Sequence, residues 1–127
     1  MTDMCTGRPA TLAPSGLVTC PHSLASQAGV EMLRAGGSAV DAAIAASAVL
    51  SVIYPHMTGI GGDAFWLIHD AATGRVRYLD GGGRATGAGT IDAFTRRGLS
   101  EVPYRGPLPG TLTVPGVAPA LHLQLPA

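Results

Sequence analysis

Two periods alternate along this chain. From Leu24 to Ala35, a step of about 100° per residue puts Leu24, Ala25, Ala28, Met32, Leu33 and Ala35 on one half of a helix and Gln27, Glu31 and Arg34 on the other. Ser23 is the expected N-cap of this amphipathic helix, and Gly36-Gly37 supply the left-handed stop that residues with a Cβ resist. A second helix, Ala39 to Ile53, is apolar nearly all round and is expected to be buried on most sides. Ser38 and Asp41 form a capping-box-like start in which Asp replaces the usual Glu, and the acid also suits the positive end of the helix dipole. Pro55 ends the helix, because the residue before a proline is pushed out of the α region.

Beyond the glycine-dense passage Thr58-Gly59-Ile60-Gly61-Gly62-Asp63, the period drops to two. Residues 64–69 read as one strand and Arg75 to Leu79 as its half-buried return, joined through Ala71-Ala72-Thr73-Gly74 as a β-hairpin. Phe65 and Trp66 fall on opposite faces, which fits a sheet layer covered on both sides. Gly16 to Cys20 is short and β-prone and ends at Pro21, so a short strand is expected there. Residues 91–98 suit a short helix stopped by Gly98, and five prolines between Pro103 and Pro119 favour an extended surface segment. Residues 1–14 are Thr/Pro-rich and patternless, a disordered tail before a single unit over 15–127.

Composition changes this picture in one respect. Only 13% of residues are charged, against about 25% in an ordinary soluble domain, so part of the surface is expected to meet more protein. All the basic residues are Arg and they are scattered, which leaves no basic stripe for nucleic acid. Cys5 and Cys20 lack C-x-x-C spacing, and the four histidines are dispersed, so no metal or other cofactor is expected; an optional disulfide stays open. No basic-then-apolar signal opens the chain, which favours the cytoplasm, and the apolar run ending at Tyr54 falls short of the about 20 residues that span a membrane. Thr58 to Asp63 follows a helix and precedes a strand, the reverse of the order that phosphate-binding glycine motifs require. Gly59, Gly61 and Gly62 are read instead as places where backbones approach closely.

Five ordered blocks carry a more specific signal: Pro21 to Ser26, Gly36 to Ala43, Pro55 to Gly62, Leu79-Asp80-Gly81 with Arg84, and Thr113 to Gly116. Together they resemble the N-terminal part of γ-glutamyltranspeptidases (γ-glutamyltransferases), which are N-terminal-nucleophile hydrolases. The resemblance implies an α+β chain: a short strand, two helices and a β-hairpin forming an incomplete, N-terminal portion of an αββα sandwich. It also implies a partial domain over 15–127, belonging to the large subunit of a precursor that cuts itself to expose a threonine. That threonine is its own catalyst, since its freed α-amine, with a pKa of about 8, is the base for its hydroxyl. No threonine here has the family's Thr-Thr-His setting, so this chain alone is expected to be inactive and to need the missing C-terminal part or small subunit as partner.

In the typical transpeptidase an Asp-x-Arg-Glu segment follows the hairpin, and its arginine grips the α-carboxylate of the γ-glutamyl substrate through a planar, bidentate guanidinium. Here Gly82 and Gly83 come between Asp80-Gly81 and the arginine, which makes Arg84 the candidate substrate-binding residue, with Asp80 as a turn residue able to orient it. The competing reading is a plain surface arginine, because a two-residue slip moves a strand-end side chain by about 6–7 Å. Asp63 also departs from the usual run of four glycines. Both departures resemble the transpeptidase-like acylases, so a related amidohydrolase or cephalosporin-acylase-like enzyme is the alternative. A non-catalytic domain that binds small carboxylates or a partner protein is the other. By family, a periplasmic or secreted location stays open.

Overall fold

A computed structural model describes residues 10–106 and 113–117. The expected disordered tail lies mostly outside these residues. The chain divides into two compact units, residues 1–46 and 47–127.

The first unit is helical. Helix α1 runs Ser23–Arg34, and α2, Ala39–Ile53, begins in this unit. The cap of α1 is His22, one residue earlier than expected: it keeps extended backbone angles and its Nδ1 accepts the Leu24 amide at 3.2 Å, so Ser23 becomes the first helical residue. At the other end Gly36 takes φ +90°, and the amides of Gly36 and Gly37 donate to the carbonyls of Leu33 and Met32 at 3.1 and 2.9 Å. This is a Schellman closure, available cheaply only to glycine. The start of α2 is the anticipated reciprocal box: Asp41 Oδ2 accepts both the amide and hydroxyl of Ser38 at 2.7 Å, and the Asp41 amide donates back to Ser38 Oγ at 3.2 Å.

Small residues make the packing here. Ala25 and Ala42 are buried, and a Cβ on Gly29 would come within 2.8 Å of Val18 Cγ1 and 3.1 Å of the Ala42 carbonyl. The all-round burial expected of α2 is not reached: Ala42 and Ala46 are its buried residues, whereas Val52 is 77% exposed. Its apolar circumference exceeds what the described residues cover. Residues 16–20 form no strand, because a ladder needs a hydrogen-bonded neighbour and none of the described residues pairs with them.

The second unit is organised by an antiparallel hairpin. Strand β1 (Ala64–Asp70) pairs with β2 (Arg75–Gly81) in a register running from Ala64 opposite Gly81 to Asp70 opposite Arg75. The connection closes on Asp70, whose carboxylate accepts the Ala72 amide at 3.0 Å and the Thr73 hydroxyl at 2.7 Å, while Gly74 supplies φ +66°. Those two hydrogen bonds, the Thr73 hydroxyl foremost, hold the Asp70 carboxyl below its ordinary value.

Opposed residues of an antiparallel pair share a face. Phe65, Leu67, Val76 and Tyr78 therefore stand together, and all are more than 60% exposed. Coverage on both sides of the sheet is not what the described residues provide. On the other face Trp66, Ile68 and Leu79 are half-buried, and Trp66 Nε1 has no hydrogen-bond partner among the described residues. A short helix α3 (Ile91–Thr95) is capped by the Thr90 hydroxyl, buries Ala93 and Phe94, and closes at Gly98 with φ +73°.

Candidate functional site

Three segments distant in sequence meet at the Asp63 end of the hairpin. Asp63 stands immediately before β1, and its Oδ1 accepts the Gly83 amide at 2.7 Å and the Thr113 hydroxyl at 2.9 Å. Its neighbour Gly62 offers one carbonyl to two amides, those of Gly116 and Val117, each at 3.0 Å. The Val114 amide donates to the Arg84 carbonyl at 2.9 Å, and Ala85 forms an isolated antiparallel bridge with Thr113. Residues 62–63, 81–85 and 113–117 are thus laced together through backbone groups and a single carboxylate.

The lacing requires glycine at two positions. A Cβ on Gly83 would collide with the Val114 carbonyl and lie 2.7 Å from Thr113 Cβ; one on Gly116 would collide with the Gly81 carbonyl. The close approaches assigned to Gly59, Gly61 and Gly62 fall here instead, since a Cβ at those three positions would meet nothing within 4 Å. Sequence order placed the dense glycine run nearest attention, whereas crowding depends on which strands later cross.

Asp80 behaves as the expected turn residue, its Oδ1 accepting the Gly82 amide at 2.8 Å. Its carboxylate is therefore turned to the loop backbone, and among the described residues it forms no ion pair with Arg84. The amides of Gly82 and Gly83 are both spent on carboxylates inside the loop, which leaves neither for an anionic ligand. Arg84 is exposed, and its guanidinium has no hydrogen-bond or ion-pair partner among the described residues. A cation with five donors stands on a loop whose backbone is fixed on both sides. Such a fork of donors matches the geometry of a carboxylate, and among the described residues the Thr113 hydroxyl beside this loop is donated to Asp63 Oδ1 at 2.9 Å.

Sequence reasoning singled out Arg84, Asp63 and Thr113 to Gly116 separately, and the structure brings all of them together. It missed that Asp63 serves Gly83 and Thr113. Those partners lie 20 and 50 residues away, beyond any local pattern. Other chemistry is sparse: no group of three or more His, Cys, Asp or Glu side chains able to hold a metal occurs among the described residues. Cys20 is a free, half-buried thiol, and Cys5, the other half of the optional disulfide, lies outside the described residues. No described helix is long and apolar enough to cross a membrane.

Two helices, the strand pair and the short helix after it make an α+β arrangement that known proteins share. The chain belongs to the γ-glutamyltranspeptidase family, whose model matches residues 25–125. It is 48% identical over 101 residues to the glutathione hydrolase-like YwrD proenzyme of Bacillus subtilis, covering 80% of this chain and 19% of that protein. With the oxamate amidohydrolase proenzyme of Klebsiella pneumoniae it shares 45% identity over 101 residues, covering 80% of this chain and 18% of the relative. Among solved structures, the γ-glutamyltranspeptidase of Helicobacter pylori superposes with a TM-score of 0.77 at 34% identity, over 91% of this chain and 33% of that one. The chain therefore spans about a fifth of the length of these curated relatives. The α+β, N-terminal-nucleophile hydrolase fold expected from the sequence blocks is borne out by these likenesses.

Proposed function

We propose that this chain is part of an enzyme that hydrolyses or transfers γ-glutamyl groups, as of glutathione, and that Arg84 grips the α-carboxylate of the group. The observation that carries this reading is the exposed guanidinium of Arg84, without a partner among the described residues, on a backbone pinned through the Gly83 and Val114 amides. Relatives named for glutathione and for oxamate support it chemically. A γ-glutamyl peptide and oxamate both carry a free carboxylate on the acyl side of the amide that is cut, and a planar guanidinium binds that group with two parallel hydrogen bonds. The acylase alternative is not favoured beside these relatives.

The nucleophilic threonine and the remainder of the pocket come from polypeptide outside these residues, so the partner of this chain is the rest of the enzyme, small subunit included. By itself the chain is expected to show no turnover.

The test is a chimeric proenzyme in which these residues replace the matching 19% of the Bacillus subtilis relative. Two substrates separate the carboxylate from everything else: a γ-glutamyl anilide, and a 4-aminobutyryl anilide that keeps the amine and lacks the carboxylate. Losing a bidentate charged contact of about 3 kcal/mol lowers kcat/KM by about 100-fold, so Arg84→Ala should do this to the first substrate and barely touch the second. Equal rates for Arg84→Ala and the parent on the γ-glutamyl anilide would refute the carboxylate reading.

A further inference from the structure

Among the described residues the Arg84 side chain takes no part in the lacing, yet its backbone is held on both sides. On its N-terminal side the Gly83 amide is captured by Asp63 at 2.7 Å. On its C-terminal side Ala85 bridges to Thr113, and the carbonyl of Arg84 itself accepts the Val114 amide at 2.9 Å. The same Asp63 oxygen accepts Thr113 Oγ1 at 2.9 Å, so one atom ties the segment before Arg84 to the segment that flanks it afterwards. Glycines 81, 82 and 83 precede Arg84, and such a run is the most freely rotating backbone a chain can contain. Without an anchor, the start of the arginine would wander over several ångströms.

We infer that Asp63 is the positioning residue for Arg84: its carboxylate oxygen, shared between the Gly83 amide and the Thr113 hydroxyl, fixes the glycine loop that aims the guanidinium at a substrate carboxylate. This rests on the carboxylate-binding role proposed for Arg84. Asp63 Oδ1 is shared by these two donors, and Asp63 forms no ion pair with Arg84 among the described residues. Its effect is on where the cation sits. A guanidinium aimed in advance loses less conformational freedom when the carboxylate arrives, so the benefit appears as substrate affinity and leaves the chemistry of the amide unaltered.

The requirement is for an acceptor oxygen at this point more than for a negative charge. Asparagine supplies that oxygen in the same place. Leucine has nearly the same shape and supplies none.

The experiment measures kcat and KM of the folded, self-cleaved chimera with the γ-glutamyl and 4-aminobutyryl anilides. Removing an acceptor shared by two donors is expected to raise KM for the γ-glutamyl anilide about 10-fold in Asp63→Leu, with kcat within about two-fold and the 4-aminobutyryl anilide unchanged. Asp63→Asn should recover most of that affinity, and Asp63→Leu combined with Arg84→Ala should be no worse than Arg84→Ala alone, because both act through one guanidinium. Should Asp63→Leu fail to fold, Thr113→Val removes one of the two donors and is expected to shift KM the same way by a smaller factor. Equal losses on both substrates, or additive losses in the double variant, would overturn the inference and make Asp63 a general support of the fold. Arg84→Ala reducing γ-glutamyl turnover while Asp63→Leu and Thr113→Val leave KM untouched would overturn the positioning role alone; no effect of Arg84→Ala would instead sink the carboxylate reading.

Discussion

The helical unit and the laced loop of the hairpin unit are built by opposite means. In the first, the hydrogen bonds that start and stop the helices are local: His22 to Leu24, Gly37 to Met32, and Ser38 with Asp41. In the second, the defining contacts span 20 and 50 residues, and they run through one carboxylate and two glycines that cannot carry a side chain. Local contacts are cheap to form and can be replaced one at a time, since each cap adds about 1 kcal/mol independently of the others. Distant contacts must overcome loop-closure entropy together, so they stand or fall as a group. The candidate substrate-binding residue is carried by the second kind of structure, and functional geometry here therefore depends on the less divisible half.

That contrast is broken most readily at Gly83. Gly83→Ala drives a Cβ into the Val114 carbonyl, backbone against a fixed oxygen, and is expected to cost about 3 kcal/mol or more and to free the Val114 amide. Thermal unfolding together with amide exchange at Val114 checks it, and a change within error at both would show that the lacing is loose. Gly29→Ala gives a smaller effect in the helical unit. Alanine is the better helix former by about 1 kcal/mol, yet its methyl would press on stiff Val18 and the Ala42 carbonyl, so a net loss of about 1–2 kcal/mol is expected where propensity alone forecasts a gain. Denaturant unfolding decides the sign.

How much of this could be read beforehand follows from the same division. Both long helices, the Ser38–Asp41 box, the Gly36 stop and the hairpin were legible, because period, caps and turn residues act within a few positions. His22 in place of Ser23 as the cap of α1 was not, since a ring nitrogen can do the work of a hydroxyl and propensities rank the hydroxyl first. Asp63 was visible only as a departure from a glycine run. Its purpose depends on Gly83 and Thr113 arriving at the same place, which no window along the chain contains. The expected strand over 16–20 failed for a related reason, because β-propensity states only that a segment suits a ladder if a partner is present.

Ser38→Ala sharpens the comparison from the local side. Removing one half of the reciprocal box is expected to cost about 1 kcal/mol and to leave exchange at Gly83 and Val114 unaltered. Propagation of that loss into the loop would contradict the separation drawn here.

The smallest effect is with pH. Hydrogen bonds from Ser38 hold the Asp41 carboxyl below its ordinary 3.8, and those from Thr73 and the Ala72 amide do the same for Asp70. A lowered native pKa means that the unfolded chain takes up protons first as acid is added. The stability contributed by these carboxylates is therefore complete above about pH 5 and is lost as pH falls through 3.8 towards the lower native values. Melting temperatures should be flat above that window and decline below it. A decline beginning near neutrality would point to other groups.

The most direct test of the account is proximity within the lacing. Nuclear Overhauser spectra of the chain should show strong contacts between the Gly83 amide and the Thr113 side chain, and between Gly116 and Gly81, with the Gly83 and Val114 amides protected from exchange. Absence of those contacts in a chain whose hairpin resonances are intact, with Gly83 exchanging as in an open peptide, would contradict the claim that Asp63 gathers three distant segments around Arg84.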